Sequence, residues 1–89
     1  MVSQKVTIVN RSGLHLKPAA VFAKTASAYD SLVTLTLEES TANAKSILSI
    51  LGACVKKGDE IEIVCSGPDE EEALKAMVKA VEEGLEEGE

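Results

Sequence analysis

The 89-residue chain has no tryptophan, and its only aromatics are Phe22 and Tyr29. Nucleic-acid binding usually needs a basic stripe with aromatic faces on which bases can stack. With a net charge of −6 and two aromatic side chains, no nucleic-acid partner is expected. Long apolar runs are also missing, and a membrane-spanning helix needs about 18 such residues or more. The start, Met1-Val2-Ser3-Gln4-Lys5, carries no apolar signal region. A cytoplasmic chain without direct membrane insertion is the expectation. Cysteine is scarce, with Cys54 and Cys65 alone, and His15 is the one histidine. These are too few ligands for a structural zinc site. No metal and no cofactor are therefore expected, and both thiols read as reduced and structural.

The charge is unevenly spread. Residues 1–68 hold seven basic and six acidic side chains, whereas residues 69–89 hold two basic and nine acidic ones. The segment that contains His15 is thus close to neutral, and the acidity belongs to the carboxyl-terminal part. A chain this short buries roughly 60–65 % of its unfolded surface, which leaves little room for a deep cofactor cleft. One domain over residues 1–84 is expected, followed by a frayed acidic tail at 85–89.

Periodicity supplies the elements. Lys5–Val9 alternates and reads as a strand with Val6 and Ile8 inward. From Pro18, the residues Ala19, Phe22, Ala23 and Ala26 share one helical face, and that helix should end near Tyr29-Asp30. Val33–Leu37 alternates again, and Ala42-Asn43-Ala44 reads as a short returning edge strand. Ser46–Leu51 is a short helix with serine at its start. Glu60–Cys65 is a strand with Ile61, Ile63 and Cys65 inward. After Gly67-Pro68 a last helix begins at Asp69, where Glu72 three residues on completes a capping-box pattern. Ala73, Leu74, Met77, Val78 and Val81 form its apolar stripe. The order β-α-β-β-α-β-α, with one apolar face per strand, predicts an α+β open-faced sandwich. Its four-stranded antiparallel sheet carries three helices on one face.

The chemistry concentrates in Ser12-Gly13-Leu14-His15-Leu16-Lys17-Pro18-Ala19-Ala20. Pro18 reads as the first helical residue, where a missing N–H costs nothing. The backbone N–H groups at such a helix start, with the helix dipole, form an anion site. A neutral imidazole nitrogen beside a phosphate cradle is a nucleophile suited to phosphoryl transfer. Without this context a lone histidine at a helix start is an ordinary capping or surface residue. Ser46 is first of all a helix N-cap.

The chain resembles the HPr family, the histidine-containing phosphocarriers of the bacterial sugar phosphotransferase system. The resemblance rests on Ser12-Gly13-Leu14-His15 with a basic residue and Pro18-Ala19 following. It rests also on Asn43-Ala44-Lys45-Ser46-Ile47-Leu48 and on Lys57-Gly58 before the last strand. It implies that His15 accepts a phosphoryl group on its δ1 nitrogen from phosphorylated enzyme I and passes it to a sugar-specific enzyme IIA. Lys17 is then a phosphate contact, the backbone of Leu16 and Lys17 the cradle, and Ile47, Leu48 and Leu51 the partner-docking patch. Ser46 becomes a regulatory phosphorylation site for an HPr kinase/phosphorylase, with a catabolite repressor as a further partner. The resemblance implies a monomeric carrier and not a self-contained enzyme.

Three positions depart from the family pattern. Leu16 and Lys17 stand where a small residue and an arginine are usual, and Cys54 stands where glycine is common. Lysine keeps the charge but lacks the planar fork that grips phosphate in a bidentate manner. The alternatives are a regulatory paralogue with a dedicated partner, or a non-transferring interaction module in catabolite repression.

Overall fold

Strand pairing organises the molecule around β4 (Glu60–Ser66), which lies between β1 (Val2–Thr7) and β2 (Leu32–Leu37). The short β3 (Ser40–Asn43) forms the far edge, giving the order β1-β4-β2-β3 with every neighbouring pair antiparallel. The structure is a computed structural model and describes residues 1–11 and 13–86. Register places apolar residues opposite one another: Ile61 faces Val6, Ile63 faces Leu35 and Cys65 faces Val33. All six are buried, so one face of the sheet is a continuous apolar surface. The other face carries exposed Ser3, Lys5 and Thr7.

Three helices cover the apolar face: α1 (Leu16–Ser27), α2 (Ile47–Gly52) and α3 (Glu70–Glu82). α1 buries Pro18, Ala19, Phe22, Ala23 and Ala26, and α3 buries Ala73, Met77 and Val81. These sit at the three- and four-residue spacings that line one side of a helix. Leu74 and Val78 flank the α3 stripe as partly buried residues. α2 is only six residues long and buries Ile50 alone. The architecture is the open-faced α+β sandwich expected from the pattern. Among the described residues no helix is long and apolar enough to cross a membrane.

Several boundaries differ from the sequence expectation, each for a tertiary reason. β1 spans residues 2–7 and not 5–9, because its partner β4 enters the sheet only at Glu60, opposite Thr7. Ile8 remains tied to the turn before β4 through bonds of 2.9 Å to the Asp59 carbonyl and 2.8 Å from the Gly58 N–H. β3 starts at Ser40 because Glu38 and Glu39 alone close the hairpin, with Leu37 paired to Ser40. Ala44 has left that ladder, although its N–H reaches the Val33 carbonyl at 2.9 Å. α1 begins two residues before Pro18 and ends at Ser27, with Ala28 as its C-cap.

Two corrections concern the carboxyl-terminal part. Asp69 holds the N-cap position of α3 but its side chain makes no capping bond there. The Asp69 N–H, which Glu72 would have to accept, donates to Ser31 Oγ at 3.2 Å, so Asp69 and Glu72 do not form a capping box. The expected fraying from residue 85 also fails at Leu85. A 3-10 turn at Gly84–Glu86, with Leu85 in the left-handed region at φ 54°, swings that side chain into the core beside α1 and α3. It is 1 % exposed. Burying a leucine stabilises by roughly 1.5–3 kcal/mol, which offsets the cost of ordering one more turn. The rest of the expected tail, residues 87–89, lies outside the described residues.

Candidate functional site

The loop before α1 delivers His15 to the surface. Gly13 takes φ +66°, and a Cβ there would lie 2.4 Å from the Val55 carbonyl oxygen, so only glycine fits this approach. Leu14 follows, 3 % exposed, and donates its N–H to the same Val55 carbonyl at 3.0 Å. The segment after α2 is thereby bonded to the segment before α1. His15 comes next as the N-cap of α1, with extended backbone (φ −86°, ψ −165°), and its side chain is exposed. Its carbonyl accepts the first helical bond, from the Ala19 N–H at 2.8 Å.

Pro18 is the third helical residue, not the first. This correction sharpens the chemistry. The first three N–H positions of a helix have no intrahelical acceptor, and here the third has no hydrogen to offer. Leu16 and Lys17 therefore contribute the two backbone donors of the first turn. The positive end of a 12-residue helix dipole reinforces them. Both residues are exposed, with Leu16 at 64 %. Pro18 itself is buried and anchors the turn to the core.

The second motif forms the start of α2. Ser46 is its N-cap, and its Oγ accepts from the Ser49 N–H at 3.2 Å, as its position ahead of a short helix suggests. The preceding loop is held by the Lys45 N–H donating to Asn43 Oδ1 at 2.9 Å. Lys45 Nζ also donates to the Tyr29 carbonyl at 2.7 Å, which ties this loop to the end of α1. α1 and α2 pack against each other. On α2, Leu48 is 81 % exposed, Ile47 lies at the surface, and Leu51 is half-buried against the core. Ile47 and Leu48 with Leu16 are among the few large apolar side chains left exposed. Single exposed apolar side chains are ordinary on a protein surface, and only a contiguous apolar patch points to a contact surface.

The two cysteines are separate free thiols. Cys65 is buried in β4, and burial, with Glu70 and Asp69 nearby, holds its thiol above its ordinary range. It stays neutral and behaves as a small hydrophobe. Cys54 is exposed at φ 55°, a left-handed conformation just past the end of α2 that favours glycine. Among the described residues no three His, Cys, Asp or Glu side chains come together to hold a metal ion.

Asn10 is a site neighbour that the sequence pattern did not single out. It is 3 % exposed, its Nδ2 donates to the Gly13 carbonyl, and its own carbonyl accepts from the Gly13 N–H at 3.1 Å. Nothing in a loop asparagine five residues from the histidine signals this. Ser12, part of the motif, lies outside the described residues.

The open-faced sandwich presents an exposed histidine at the mouth of α1, beside the first-turn backbone of Leu16 and Lys17. The comparisons with known proteins give the class to which such a chain belongs. The family model for the HPr component phosphorylation site of the phosphotransferase system matches residues 2–83. The phosphocarrier protein HPr of Treponema pallidum is 38 % identical over 87 residues, covering 98 % of this chain and 99 % of that protein. The crystal structure of HPr from Thermoanaerobacter tengcongensis superposes with a TM-score of 0.94 at 38 % identity, covering 100 % of this chain and 98 % of that one. The Bacillus subtilis catabolite-repression protein Crh, crystallised as a domain-swapped dimer, is 37 % identical with a TM-score of 0.76. That match covers 94 % of this chain and 97 % of Crh. The chain belongs to the HPr phosphocarrier family.

Proposed function

We propose that this chain carries a phosphoryl group on Nδ1 of His15, taking it from phosphorylated enzyme I and giving it to a sugar-specific enzyme IIA. The observation that carries the reading is the exposed imidazole at the N-cap of α1, beside the first-turn N–H groups of Leu16 and Lys17. With its proton on Nε2, the neutral ring offers the Nδ1 lone pair to phosphorus. The bond between phosphorus and its donor atom on enzyme I breaks as the bond to Nδ1 forms, the electron pair staying with the donor, and no water or metal ion on the carrier takes part. The transition state spreads negative charge over three equatorial oxygens. Two preorganised N–H donors, the helix dipole and the Lys17 ammonium stabilise that charge without reorganisation.

Ile47, Leu48 and Leu51 supply the apolar contact on which successive partners dock, and Leu16 extends it. Ser46 serves as the regulatory site. A phosphate there adds about −1.5 to −2 charges at the start of α2, beside the docking surface. An HPr kinase/phosphorylase would install it, and a catabolite repressor would read it. In this reading the carrier works in the cytoplasm as a monomer, between soluble partners.

A second reading is favoured by Leu16 and Lys17 and by the likeness to Crh: a regulatory paralogue that accepts phosphate but serves a dedicated partner. Both readings are tested by incubating the chain with phosphoenolpyruvate, Mg²⁺ and a bacterial enzyme I, then measuring intact mass and acid lability. An acid-labile adduct absent from His15→Ala is the expected result. An adduct that survives this substitution, or none with an active control, overturns His15 as the acceptor. Efficient acceptance with no transfer to sugar enzyme IIA proteins selects the paralogue.

A further inference from the structure

The peptide unit joining Gly13 to Leu14 is held at both of its polar ends. Its carbonyl oxygen accepts from Asn10 Nδ2, and its N–H donates to the Val55 carbonyl at 3.0 Å. These ends point in opposite directions, so the peptide plane cannot turn without breaking one bond or the other. Gly13 permits the close approach of the Val55–Lys56 backbone on one side. Asn10 is the counterpart on the other side, itself 3 % exposed. Leu14, 3 % exposed, anchors the next residue in the core. Between this clamp and the first bond of α1 lie only the backbone torsions of Leu14, whose side chain is buried, and of His15.

Asn10 satisfies one buried acceptor and brings another. Its Oδ1 is buried and finds no hydrogen-bond partner among the described residues. An apolar side chain of similar volume would remove that unpaired acceptor but leave the carbonyl of the buried Gly13 without its Asn10 donor. What an apolar side chain cannot do is donate to the Gly13 carbonyl.

We infer that Asn10 is a positioning residue for phosphoryl transfer: by donating to the Gly13 carbonyl it sets the angle at which the His15 imidazole faces the N–H groups of Leu16 and Lys17. The inference rests on the reading that His15 is the phosphoryl acceptor. Asn10 touches neither the phosphoryl group nor the imidazole in this role. It acts through one peptide plane, and its loss affects the transfer step more than partner docking.

The test is single-turnover phosphorylation of the wild-type chain, Asn10→Ala and Asn10→Asp by phosphorylated enzyme I, with rate and half-saturation measured separately. Displacing a reacting group by an ångström costs up to about 10²-fold. The expected result for Asn10→Ala is a maximal rate lower by about tenfold with half-saturation unchanged, and faster hydrogen exchange at the Leu14 amide. A folded Asn10→Ala that accepts at the wild-type rate overturns the inference.

Asn10→Asp tests the donor itself in a side chain of nearly the same shape. The carboxylate cannot donate to the Gly13 carbonyl, whereas the protonated acid can. Its rate relative to wild type should therefore recover as pH falls from about 8 to about 5, because an unpaired buried carboxyl titrates above its ordinary range. A flat ratio overturns the inference even if Asn10→Ala does not fold. A wild-type chain that accepts no phosphate overturns the acceptor reading instead. Acceptance by all three proteins alike overturns the role of Asn10 alone.

Discussion

The carboxylate of Asp69 reaches across to Ser31 and not back along its own helix. Asp69 Oδ1 accepts from the Ser31 N–H at 2.9 Å and from the Ser31 hydroxyl at 2.5 Å. Its Oδ2 accepts from the Asp30 N–H at 2.9 Å. The Ser31 Oγ in turn accepts from the Asp69 N–H at 3.2 Å. This reciprocal set joins the entry of β2 to the start of α3, 38 residues later. It needs Gly67 as well, since a Cβ there would lie 2.7 Å from Ser31 Cα.

A pH dependence follows. The Ser31 hydroxyl, with the Asp30 and Ser31 N–H groups, holds the Asp69 carboxyl below its ordinary range. The N-terminal ammonium and the Gly67 N–H do the same for Glu70. A carboxyl whose folded value is lowered stabilises the fold above its unfolded value, near 3.9 for aspartate and near 4.3 for glutamate. That contribution is lost as pH falls through the folded value. Urea midpoints should be flat above about pH 5 and fall below about pH 4. Asp69→Asn should lower the neutral-pH midpoint and flatten the acid limb. An acid limb as steep as wild type in Asp69→Asn would show that the titration lies elsewhere.

Gly13→Ala should be the most damaging single-methyl addition near the site. Its Cβ would meet the Val55 oxygen at 2.4 Å, and the φ of +66° is left-handed. The conformation alone costs an alanine roughly 1–2 kcal/mol, and the clash adds to it. Denaturant unfolding should show a loss of at least about 2 kcal/mol, with early hydrogen exchange at Leu14.

Ser46→Ala removes the cap of a six-residue helix. The expected loss is about 1 kcal/mol. Ser46→Asp keeps an oxygen acceptor for the Ser49 N–H and adds charge at the helix start, so its stability should stay near wild type while acceptance from enzyme I falls. An acceptance rate unchanged by the aspartate would argue against docking at the start of α2.

Cys54→Gly should stabilise the chain. Residue 54 sits at φ 55° past α2, with its N–H bonded to the Leu51 carbonyl at 3.2 Å. Glycine removes a Cβ penalty of roughly 1–2 kcal/mol and gives back about 0.5–1 kcal/mol in unfolded-state entropy. A net gain of up to about 1 kcal/mol in urea unfolding is expected. A loss would mean that the thiol makes a contact worth more than the strain.

Leu85→Ala and Leu48→Ala should behave oppositely. Leu85, 1 % exposed, should cost about 2–5 kcal/mol, as core leucines do. Leu48, 81 % exposed, should stay within about 0.5 kcal/mol of wild type while transfer to partners weakens. Comparing thermal midpoints with transfer rates separates the two.

Periodicity was enough to read what local chemistry controls. Strand alternation put Ile61, Ile63 and Cys65 on one face, and helical spacing put Ala19, Phe22, Ala23 and Ala26 on another; all are buried. Ser46 announced itself as a cap because a serine before a short apolar run has few other uses. His15, Leu16 and Lys17 were legible as a group because a glycine, a histidine and a proline at this spacing describe a loop entering a helix.

What the sequence could not contain is the choice of distant partners. Asp69 looked like the cap of its own helix, yet its oxygens are held by Asp30 and Ser31, brought beside it only when β2 and α3 assemble. Leu85 looked like part of a frayed tail, yet the gap beside α1 and α3 accepts its side chain. Asn10 and Val55 are 45 residues apart in sequence, yet they grip the two ends of one peptide ahead of His15. Repeats of two and three or four residues encode which face of an element is apolar. Which polar group meets which across the folded chain depends on where those faces come to rest, and tertiary packing alone decides that.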